Sequence, residues 1–313
     1  MKKKILLLFM IFVGLFTITA CGSKKEEKEV LTPLLYEVTK EGSTNKIYIL
    51  GTIHLGNLKN TEFAEYVTKA FESSHYVAAE VDNESTEDEE TQQFLGMFYD
   101  GEDTIKNHIS EETYNKLMKF IDENKLDEGL FNKDKFNVKH YAQSLTQFII
   151  EKSNVSVEEG IDEYFVNLAK KEGKTLLQVE SASFQEELLS SLSDKIYENT
   201  INTIIDNLDD AIKEAEESFN QWKKGDEEDI WKDDGATIKN GTENMFTEEE
   251  LKAAKDFDER VLYSRNLSMT DKLEEYFNNN YDVFFMVGQD HTVGDKGIVT
   301  YLRQRGYKVT KLS

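Results

Sequence analysis

The stretch that decides the fold is Lys46-Ile47-Tyr48-Ile49-Leu50-Gly51-Thr52-Ile53-His54-Leu55-Gly56. A short run of β-branched and aromatic residues that ends at a glycine is typical of a buried strand. His54 comes three residues after the first glycine of the stretch. The pattern therefore predicts a core strand that presents a histidine at its carboxyl end.

The same pattern returns near the C-terminus as Tyr281-Asp282-Val283-Phe284-Phe285-Met286-Val287-Gly288-Gln289-Asp290-His291. Both copies consist of a strand followed by Gly-x-x-His. We expect a glycine at this place because the chain turns tightly off the strand and a Cβ atom would crowd the site. Two histidines at equivalent strand ends, far apart in sequence, predict one shared site.

Residues 1–20 are predicted to be a signal peptide and not part of the fold. Lys2 to Lys4 form a basic region, and Ile5 to Phe16 form an apolar core that is short for a membrane-spanning helix. The following Ile18-Thr19-Ala20-Cys21 resembles the cleavage site of a bacterial lipoprotein, in which the cysteine becomes the lipidated N-terminus. The alternative is an ordinary signal peptide in which the cysteine is incidental.

Cys21 is the only cysteine of the chain, which excludes disulfide bonds and a cysteine nucleophile elsewhere. No later stretch is apolar enough to span a bilayer. We therefore expect a flexible tether at 21–32 and one soluble domain at 33–313, held at the extracytoplasmic face of the cell membrane. Pro33, the only proline, marks the predicted start of the ordered chain.

The chain is strongly acidic. Its formal charge of −24 becomes −27 when the three lysines of the first 20 residues are removed. Nucleic acid and anionic lipid surfaces should repel such a body. We therefore expect no nucleic-acid partner, and a membrane contact made by the lipid alone.

The fold class that the periodicities predict is α/β, with a central, mostly parallel or mixed sheet flanked by helices and a large helical insertion or cap. The predicted strands are 34–38 and 46–50, which form a hairpin, and then 76–82, 175–180, 283–287 and 307–312. The first predicted helix follows His54 and has Phe63, Val67, Ala70 and Phe71 on one face. The later predicted helical regions are 94–150, 161–169, 184–278 and 297–305. The third of these regions contains a looser segment at 225–241. The cap is predicted at about 94–150 and 184–278.

Four polar residues follow or end predicted strands: His54, Glu80, Glu180 and His291. In open α/β sheets the ligand lies outside the carboxyl ends of the strands. Imidazole and carboxylate groups are the usual ligands of a transition metal, which lowers the pKa of a bound water from ~15.7 toward ~7. His54, Glu80 and His291 therefore form a candidate metal set. The alternative is that each histidine hydrogen-bonds to the backbone and completes the sheet edge.

Other catalytic signatures are missing from the sequence. It contains no Gly-x-Ser-x-Gly elbow, no phosphate-binding Gly-x-x-x-x-Gly-Lys-Ser/Thr loop and no His-Glu-x-x-His helix. His75, His108 and His140 lie outside the paired pattern and are interpreted as surface or packing residues. The acidic runs at 84–90 and 226–234 are interpreted as solvated loops, since neither matches a calcium-binding EF-hand loop.

Taken together, the motifs resemble those of the TraB/PrgY/GumN family, whose animal relatives are the Tiki proteases, within a wider erythromycin-esterase-like and ChaN-like superfamily. The resemblance covers essentially the whole mature chain. The stretches that carry it are Leu50–Gly56, Glu80–Asp82, Gly160–Phe165 leading into Glu180, Arg265-Asn266, Val287–Gly294, Gly297-Ile298 and Gly306–Val309. One departure is Thr292, where the family motif usually continues with leucine.

The resemblance implies a membrane-anchored, extracellular, metal-dependent hydrolase that acts on peptides or small molecules. His54, Glu80 and His291 would hold a divalent transition metal (Mn, Co or Zn). Glu180 would be a general base or a supporting group. Arg265 would stabilise a carboxylate or the developing oxyanion, and Asn266 would help to orient the site.

Two other functions stay open. The first is a non-catalytic lipoprotein that binds a peptide or haem, as the pheromone-reducing plasmid members and the haem-binding ChaN-like relatives suggest. The second is an envelope scaffold whose site has decayed. A homodimer is also predicted as possible, through an apolar strip on the hairpin at 34–50.

Overall fold

The computed structural model describes residues 28–81, 96–126, 134–157, 160–232 and 246–313. The predicted signal peptide 1–20, Cys21 and the acidic loop 84–90 lie outside the described residues, as does most of the predicted tether. Among the described residues, no helix has the length and apolar character needed to cross a membrane.

Eight strands are present in the described residues. They are β1 (Glu29–Leu31), β2 (Leu35–Thr39), β3 (Ile47–Thr52), β4 (Thr61–Phe63), β5 (Tyr76–Val81), β6 (Thr175–Glu180), β7 (Val283–Gly288) and β8 (Lys308–Lys311). The α-helices of the same residues are α1 (Glu65–Ser73), α2 (Glu111–Asn124), α3 (Val138–Lys152), α4 (Ile161–Glu172), α5 (Ala182–Ser190), α6 (Asp194–Asp206), α7 (Leu208–Lys224), α8 (Glu227–Lys232), α9 (Glu248–Phe257), α10 (Ser264–Asn278) and α11 (Ile298–Gln304).

The main sheet has six strands in the order β6-β5-β7-β3-β2-β8. The pairs β6–β5, β5–β7 and β7–β3 are parallel, whereas β2 is antiparallel to both β3 and β8. A mixed sheet flanked by helices confirms the predicted α/β fold class. Strands β3 and β7, which carry the two Gly-x-x-His patterns, are neighbours in register, with Thr52 opposite Gly288.

Both faces of the sheet are covered, which is why β7 is an uninterrupted apolar run. Successive side chains of a strand point to opposite faces. Phe284 and Met286 of β7 belong to a core with α1 and α4, and Phe285 and Val287 belong to a second core with α10 and α11. All four side chains are fully buried. The site edge is therefore held between two packed layers.

The helical part of the chain is fixed to the sheet beside the site. Trp222 of α7 is fully buried and stacks on Phe219. Its indole Nε1 donates a hydrogen bond of 2.8 Å to the carbonyl oxygen of Gly51 in β3. The C-terminal end of α7 is thus attached to the strand that leads to His54.

The hairpin at 34–50 forms as predicted, as strands β2 and β3. Its free side is not available to another protomer, because β2 pairs with β8 and Leu35, Tyr36, Ile47 and Ile49 are all fully buried. The apolar strip that suggested a dimer contact is therefore covered within the chain. The homodimer itself stays a prediction.

Regular structure begins before Pro33, the start that the sequence predicted. The three residues of β1 fall within the predicted tether and pair with β4, and Leu31 is fully buried. Phe63, expected on the first helix, lies in β4, and α1 begins at Glu65. Both strands are only three residues long, too short for a sequence period to reveal.

Two other helical expectations also differ from the structure. Between residues 96 and 110, within the predicted helical region 94–150, only the short 3₁₀ turn Ile105–Asn107 is helical. Residues 226–232, expected in a looser segment, contain α8. The predicted helix at 161–169 does end at Gly173, which takes the left-handed conformation with φ 70°.

Candidate functional site

The four predicted strand-end residues lie along one edge of the sheet. Glu180 ends β6, Glu80 lies one residue before the end of β5, His54 follows β3, and His291 ends a 3₁₀ turn that follows β7. These four strands are adjacent and parallel, in the order β6-β5-β7-β3. The strand-end placement that the sequence predicts is therefore what the fold produces.

At the centre of this edge lies the guanidinium group of Arg265, which is only 7% exposed. Its Nε donates to Glu180 Oε1 and Oε2 at 3.0 and 3.1 Å, and its Nη2 donates to Glu180 Oε2 at 2.7 Å and to Glu80 Oε1. Its Nη1 donates to the Val261 carbonyl at 2.9 Å and to His291 Nε2 at 3.3 Å. A guanidinium has five N–H donors, and the protein uses all of them.

A change of helix type positions Arg265. The π-helix Asp258–Tyr263 leads directly into α10, and Arg265 is the second residue of α10. Single turns of π-helix are frequent at functional sites. Here the carbonyl of Val261, in the π-helix, accepts from the Arg265 side chain and holds it toward the sheet.

Glu80 is buried and fully bonded. Its Oε1 accepts from Gln185 Nε2 at 2.8 Å, and its Oε2 accepts from the backbone N–H of Gly288 at 3.2 Å. Burial raises the pKa of Glu80, but the charge of Arg265 outweighs this effect and brings the pKa to well below its usual range. Glu80 is therefore a carboxylate. Gln185 also donates to Glu180 Oε2 at 3.0 Å, so it bridges the two acidic residues.

His291 is held in one tautomer. Its Nδ1 lies 2.5 Å from Asn266 Oδ1, and Asn266 Nδ2 donates to the Lys296 carbonyl at 2.9 Å, which fixes which end of the amide faces the ring. Nδ1 therefore carries the hydrogen, and Nε2 accepts from Arg265. Burial and then the charge of Arg265 lower the pKa of His291 to about 3, so its ring is neutral.

His54 has a different electrostatic environment. Its Nδ1 lies 3.1 Å from Asp162 Oδ2, and Asp162 Oδ1 accepts from Thr52 Oγ1 at 2.6 Å. Burial lowers the pKa of His54, but the carboxylates of Asp162 and Glu80 outweigh it and raise the pKa to about 9. The His54 side chain is 32% exposed, and its Nε2 has no hydrogen-bond partner among the described residues.

The helix that carries Asp162 is tied to the His54 segment. Ile161 N donates to Ile53 O at 3.2 Å. A Cβ atom at Gly160 would lie 3.1 Å from the His54 carbonyl oxygen, closer than most real Cβ contacts, so the close approach favours glycine. Asp162, in the first turn of α4, is thereby placed beside the imidazole.

Both histidines use side chains and not backbone groups as partners in the described structure. The alternative in which each one completes the sheet edge through the backbone is therefore wrong. We expected a Cβ atom to be crowded at both Gly51 and Gly288, but this is so only at Gly51. A Cβ at Gly51 would lie 3.1 Å from Gln289 Cα, whereas one at Gly288 would meet nothing closer than 3.5 Å.

The donor types of the predicted metal set suit a transition metal, but their arrangement does not. Arg265 occupies the lone pairs of His291 Nε2 and Glu80 Oε1. Among the described residues, no three His, Cys, Asp or Glu side chains are grouped as metal ligands. These residues do not fit a divalent ion while Arg265 holds them, so metal dependence stays a prediction.

The residues predicted to be catalytic lie in the same cluster. The Arg265 and Gln185 N–H groups occupy both oxygens of Glu180, which favours its supporting role over that of a free base. Arg265 keeps no N–H for a substrate carboxylate or an oxyanion. Asn266 contacts His291 directly, which agrees with an orienting role.

Sequence reasoning did not assign a role to Asp162 or Gln185. Asp162 is the second residue of the helix that begins at Ile161, directly after Gly160, and Gln185 lies in the first turn of the helix that follows β6. Helix starts that follow a strand's carboxyl end face the same edge as the strand-end residues. Polar residues at these helix starts were the signal available in the sequence.

Comparison with known proteins adds one finding. No curated protein and no solved structure matches the chain. A family model described as the TraB/PrgY/gumN family matches residues 34–311, which include every strand of the six-stranded sheet and every residue of the site. The chain belongs to the TraB/PrgY/gumN family.

Proposed function

We propose that this protein is a hydrolase that cleaves peptides at the carboxyl edge of its sheet, anchored through a lipid on Cys21 at the extracytoplasmic face of the membrane. The observation that carries the proposal is the His54–Asp162 pair. The imidazole Nδ1 lies within ion-pair distance, 3.1 Å, of a buried carboxylate oxygen that has no other partner among the described residues, and its Nε2 has no partner there either. A histidine in this setting has the geometry that a general acid–base group needs.

In this proposal His54 takes a proton from the attacking water and returns it to the leaving amine. Asp162 fixes the ring and stabilises the imidazolium, and Thr52 holds the second oxygen of Asp162. The raised pKa of His54, about 9, means that little of the neutral base is present near pH 7. We therefore expect hydrolysis to become faster as the pH rises toward 9.

The Arg265 cluster is a rigid wall beside that pair. Glu80, Glu180, Gln185, Arg265 and His291 satisfy one another's hydrogen bonds, so none of the three charged groups is left free. A fully satisfied buried network specifies one geometry. Its contribution to the reaction is positioning, and the electrostatic influence of Glu80 on His54 is part of it.

The test is cleavage of a peptide library by the purified mature chain, with mass spectrometry as the readout. Each assay is run with added Mn²⁺, Co²⁺ or Zn²⁺ and with a chelator, which measures the metal dependence predicted from the sequence. His54→Ala and Asp162→Asn should abolish or strongly reduce cleavage. His75→Ala, at a ring that is 79% exposed, is the matched control and should keep it. Absence of cleavage by the wild type in every condition would refute the proposal.

The second candidate is a non-catalytic protein that binds a peptide or haem. The observation in its favour is that His54 is protonated near neutral pH, so its unpartnered Nε2–H can bind the carboxylate of a peptide or a haem propionate. In that case the purified protein would retain its ligand unchanged on mass spectrometry. His54→Ala would then weaken retention without affecting any turnover.

A further inference from the structure

We infer that Arg265 is the resident cation of this site and that it excludes a divalent metal ion from Glu80 and His291. The inference concerns cation binding alone, so it stands or falls independently of whether the protein hydrolyses peptides. A set of two histidines and one carboxylate suggests a site that binds a metal ion. The cation in this arrangement is supplied by the chain itself.

The lone pairs that a metal ion would need are already used as hydrogen-bond acceptors. A metal held by Glu80 and His291 needs one carboxylate oxygen and the imidazole Nε2. The N–H groups of Arg265 already take Glu80 Oε1 and His291 Nε2, and the backbone N–H of Gly288 takes Glu80 Oε2 at 3.2 Å. A metal ion and the guanidinium therefore compete for the same atoms.

The charges of the buried groups also oppose a metal ion beside Arg265. Glu80 and Glu180 are both almost fully buried and both pair with Arg265. A divalent ion added beside a retained guanidinium would place two cations against each other in a poorly solvated region, where their repulsion is strong. Removal of the guanidinium would leave two buried carboxylates, whose charge one divalent ion balances. The site can hold Arg265 or a metal ion, but not both.

Arg265 is also held firmly in its place. Its side chain is anchored on the helix side by the Val261 carbonyl and on the sheet side by both carboxylates, the latter through a bidentate contact with Glu180. Bidentate guanidinium–carboxylate contacts are among the stronger hydrogen bonds in proteins. Arg265 cannot leave without giving up several charge-assisted bonds at once.

The experiment compares metal binding by three forms of the mature chain: the wild type, Arg265→Met/Glu180→Gln and Arg305→Met. The double variant removes one positive and one negative charge, so the site keeps its charge balance. Arg305 is the matched control, because it also pairs with two carboxylates, those of Asp271 and Glu274, but away from the site. Zn²⁺, Mn²⁺ and Co²⁺ are titrated separately by calorimetry, with elemental analysis of the dialysed protein.

We expect no stoichiometric binding that depends on His291 in the wild type or in Arg305→Met. The double variant should bind one ion at least about tenfold more tightly than the wild type, a difference that calorimetry resolves readily. Addition of His291→Ala to the double variant should remove that binding. The circular dichroism spectrum of each form checks that it is folded.

Two outcomes would overturn the inference. One is a wild type that binds one ion and loses it on His291→Ala. The other is a folded double variant that gains no affinity. If the double variant does not fold, the wild type alone tests the inference. The ¹⁵N chemical shifts of the His291 ring should not change when Zn²⁺ is added. A change in the Nε2 chemical shift would contradict the proposed exclusion.

Discussion

The Nη1 group of Arg265 donates to Nε2 of His291 across 3.3 Å, and Asn266, the next residue of the same helix, accepts from Nδ1 of that ring at 2.5 Å. Two consecutive residues of α10 therefore bind both nitrogens of one histidine. His291 is consequently neutral, fixed in orientation and unable to rotate without losing both bonds.

This relationship predicts the effect of Asn266→Leu. The substitution leaves Nδ1–H of His291 buried without an acceptor, and such a group costs about 1–3 kcal/mol. We expect a loss of that size in the free energy of unfolding by urea, together with a shift of the His291 Nδ1 resonance. Asn278→Leu, an exposed position at the end of the same helix, is the control and should cost much less. Equal costs would contradict the assigned bond.

The His54–Asp162 pair predicts a dependence of stability on pH. Because the folded pKa of His54 is raised to about 9 from an ordinary 6.5, the pair stabilises the fold fully below the ordinary value and is lost as the pH rises through about 9. In Asp162→Asn the pKa of His54 should fall toward 6.5, which an NMR titration of the ring measures. Asp209→Asn, an exposed acidic position on α7, is the control. An unchanged titration in Asp162→Asn would show that Asp162 is not the cause.

The two glycines of the paired pattern should differ in their tolerance of alanine. A Cβ at Gly51 would lie 3.1 Å from both Cα and Cβ of Gln289, at the start of the turn that carries His291. Overpacking of this kind costs typically about 1–3 kcal/mol. A Cβ at Gly288 meets its nearest atoms at 3.5 and 3.9 Å, so Gly288→Ala should cost less than about 1 kcal/mol. Urea unfolding of both variants tests the order, and the reverse order would refute the argument.

A third histidine, distant from the site, predicts a separate effect of pH. His108 Nδ1 lies 2.7 Å from Asp194 and its Nε2 lies 2.9 Å from Asp103, while its ring stacks on Tyr99. Burial lowers the pKa of His108, but the two carboxylates raise it above its ordinary value. The stabilisation is therefore present below the ordinary pKa and is lost as the pH rises through the raised one.

The measurement is the melting temperature of the wild type and of His108→Gln at about pH 6, below the ordinary pKa of histidine, and at about pH 9.5, well above it. The difference between the two proteins should be larger at the lower pH. His75→Gln, at a mostly exposed ring, should show little difference at either pH. A difference between His108→Gln and wild type that does not change with pH would show that the charge of His108 does not matter.

The bond between Trp222 and Gly51 predicts the effect of Trp222→Phe. The phenyl ring retains most of the buried apolar surface but has no N–H for the Gly51 carbonyl, now bonded at 2.8 Å. We expect a loss of about 1–2 kcal/mol in the free energy of unfolding, from the hydrogen bond and the smaller ring. A variant as stable as the wild type would show that this bond does not hold the helical part to β3.

The sheet was predictable because its strands carry a signal in consecutive residues. Strands lie within or across the runs predicted at 46–50, 175–180 and 283–287 and cover 76–81 of the run at 76–82, and the two that carry the Gly-x-x-His pattern end at the same edge of the sheet. Strand β1 has a single buried residue, Leu31, so nothing periodic marks it.

The contacts between side chains within the site were harder to predict from the sequence. Gln185 and Arg265 each reach both Glu80 and Glu180, but they come from two helices whose order along the chain does not reveal which of their side chains meet. Sequence spacing determines which face of a helix a residue occupies, but not which strand that face covers. The use of every N–H of Arg265 within the protein is a property of the packed structure alone.

The position of β7 has a consequence for the synthesis of the protein. This strand lies between β5 and β3, yet it is the seventh of the eight strands that the described residues form. While the ribosome is still adding the helices, β3 and β5 each have an open edge that residues 283–288 fill in the folded protein. Open strand edges are prone to pairing with other chains. A chain that ends early, at any point before β7, would therefore lack His291 and would also leave the sheet in two unjoined parts.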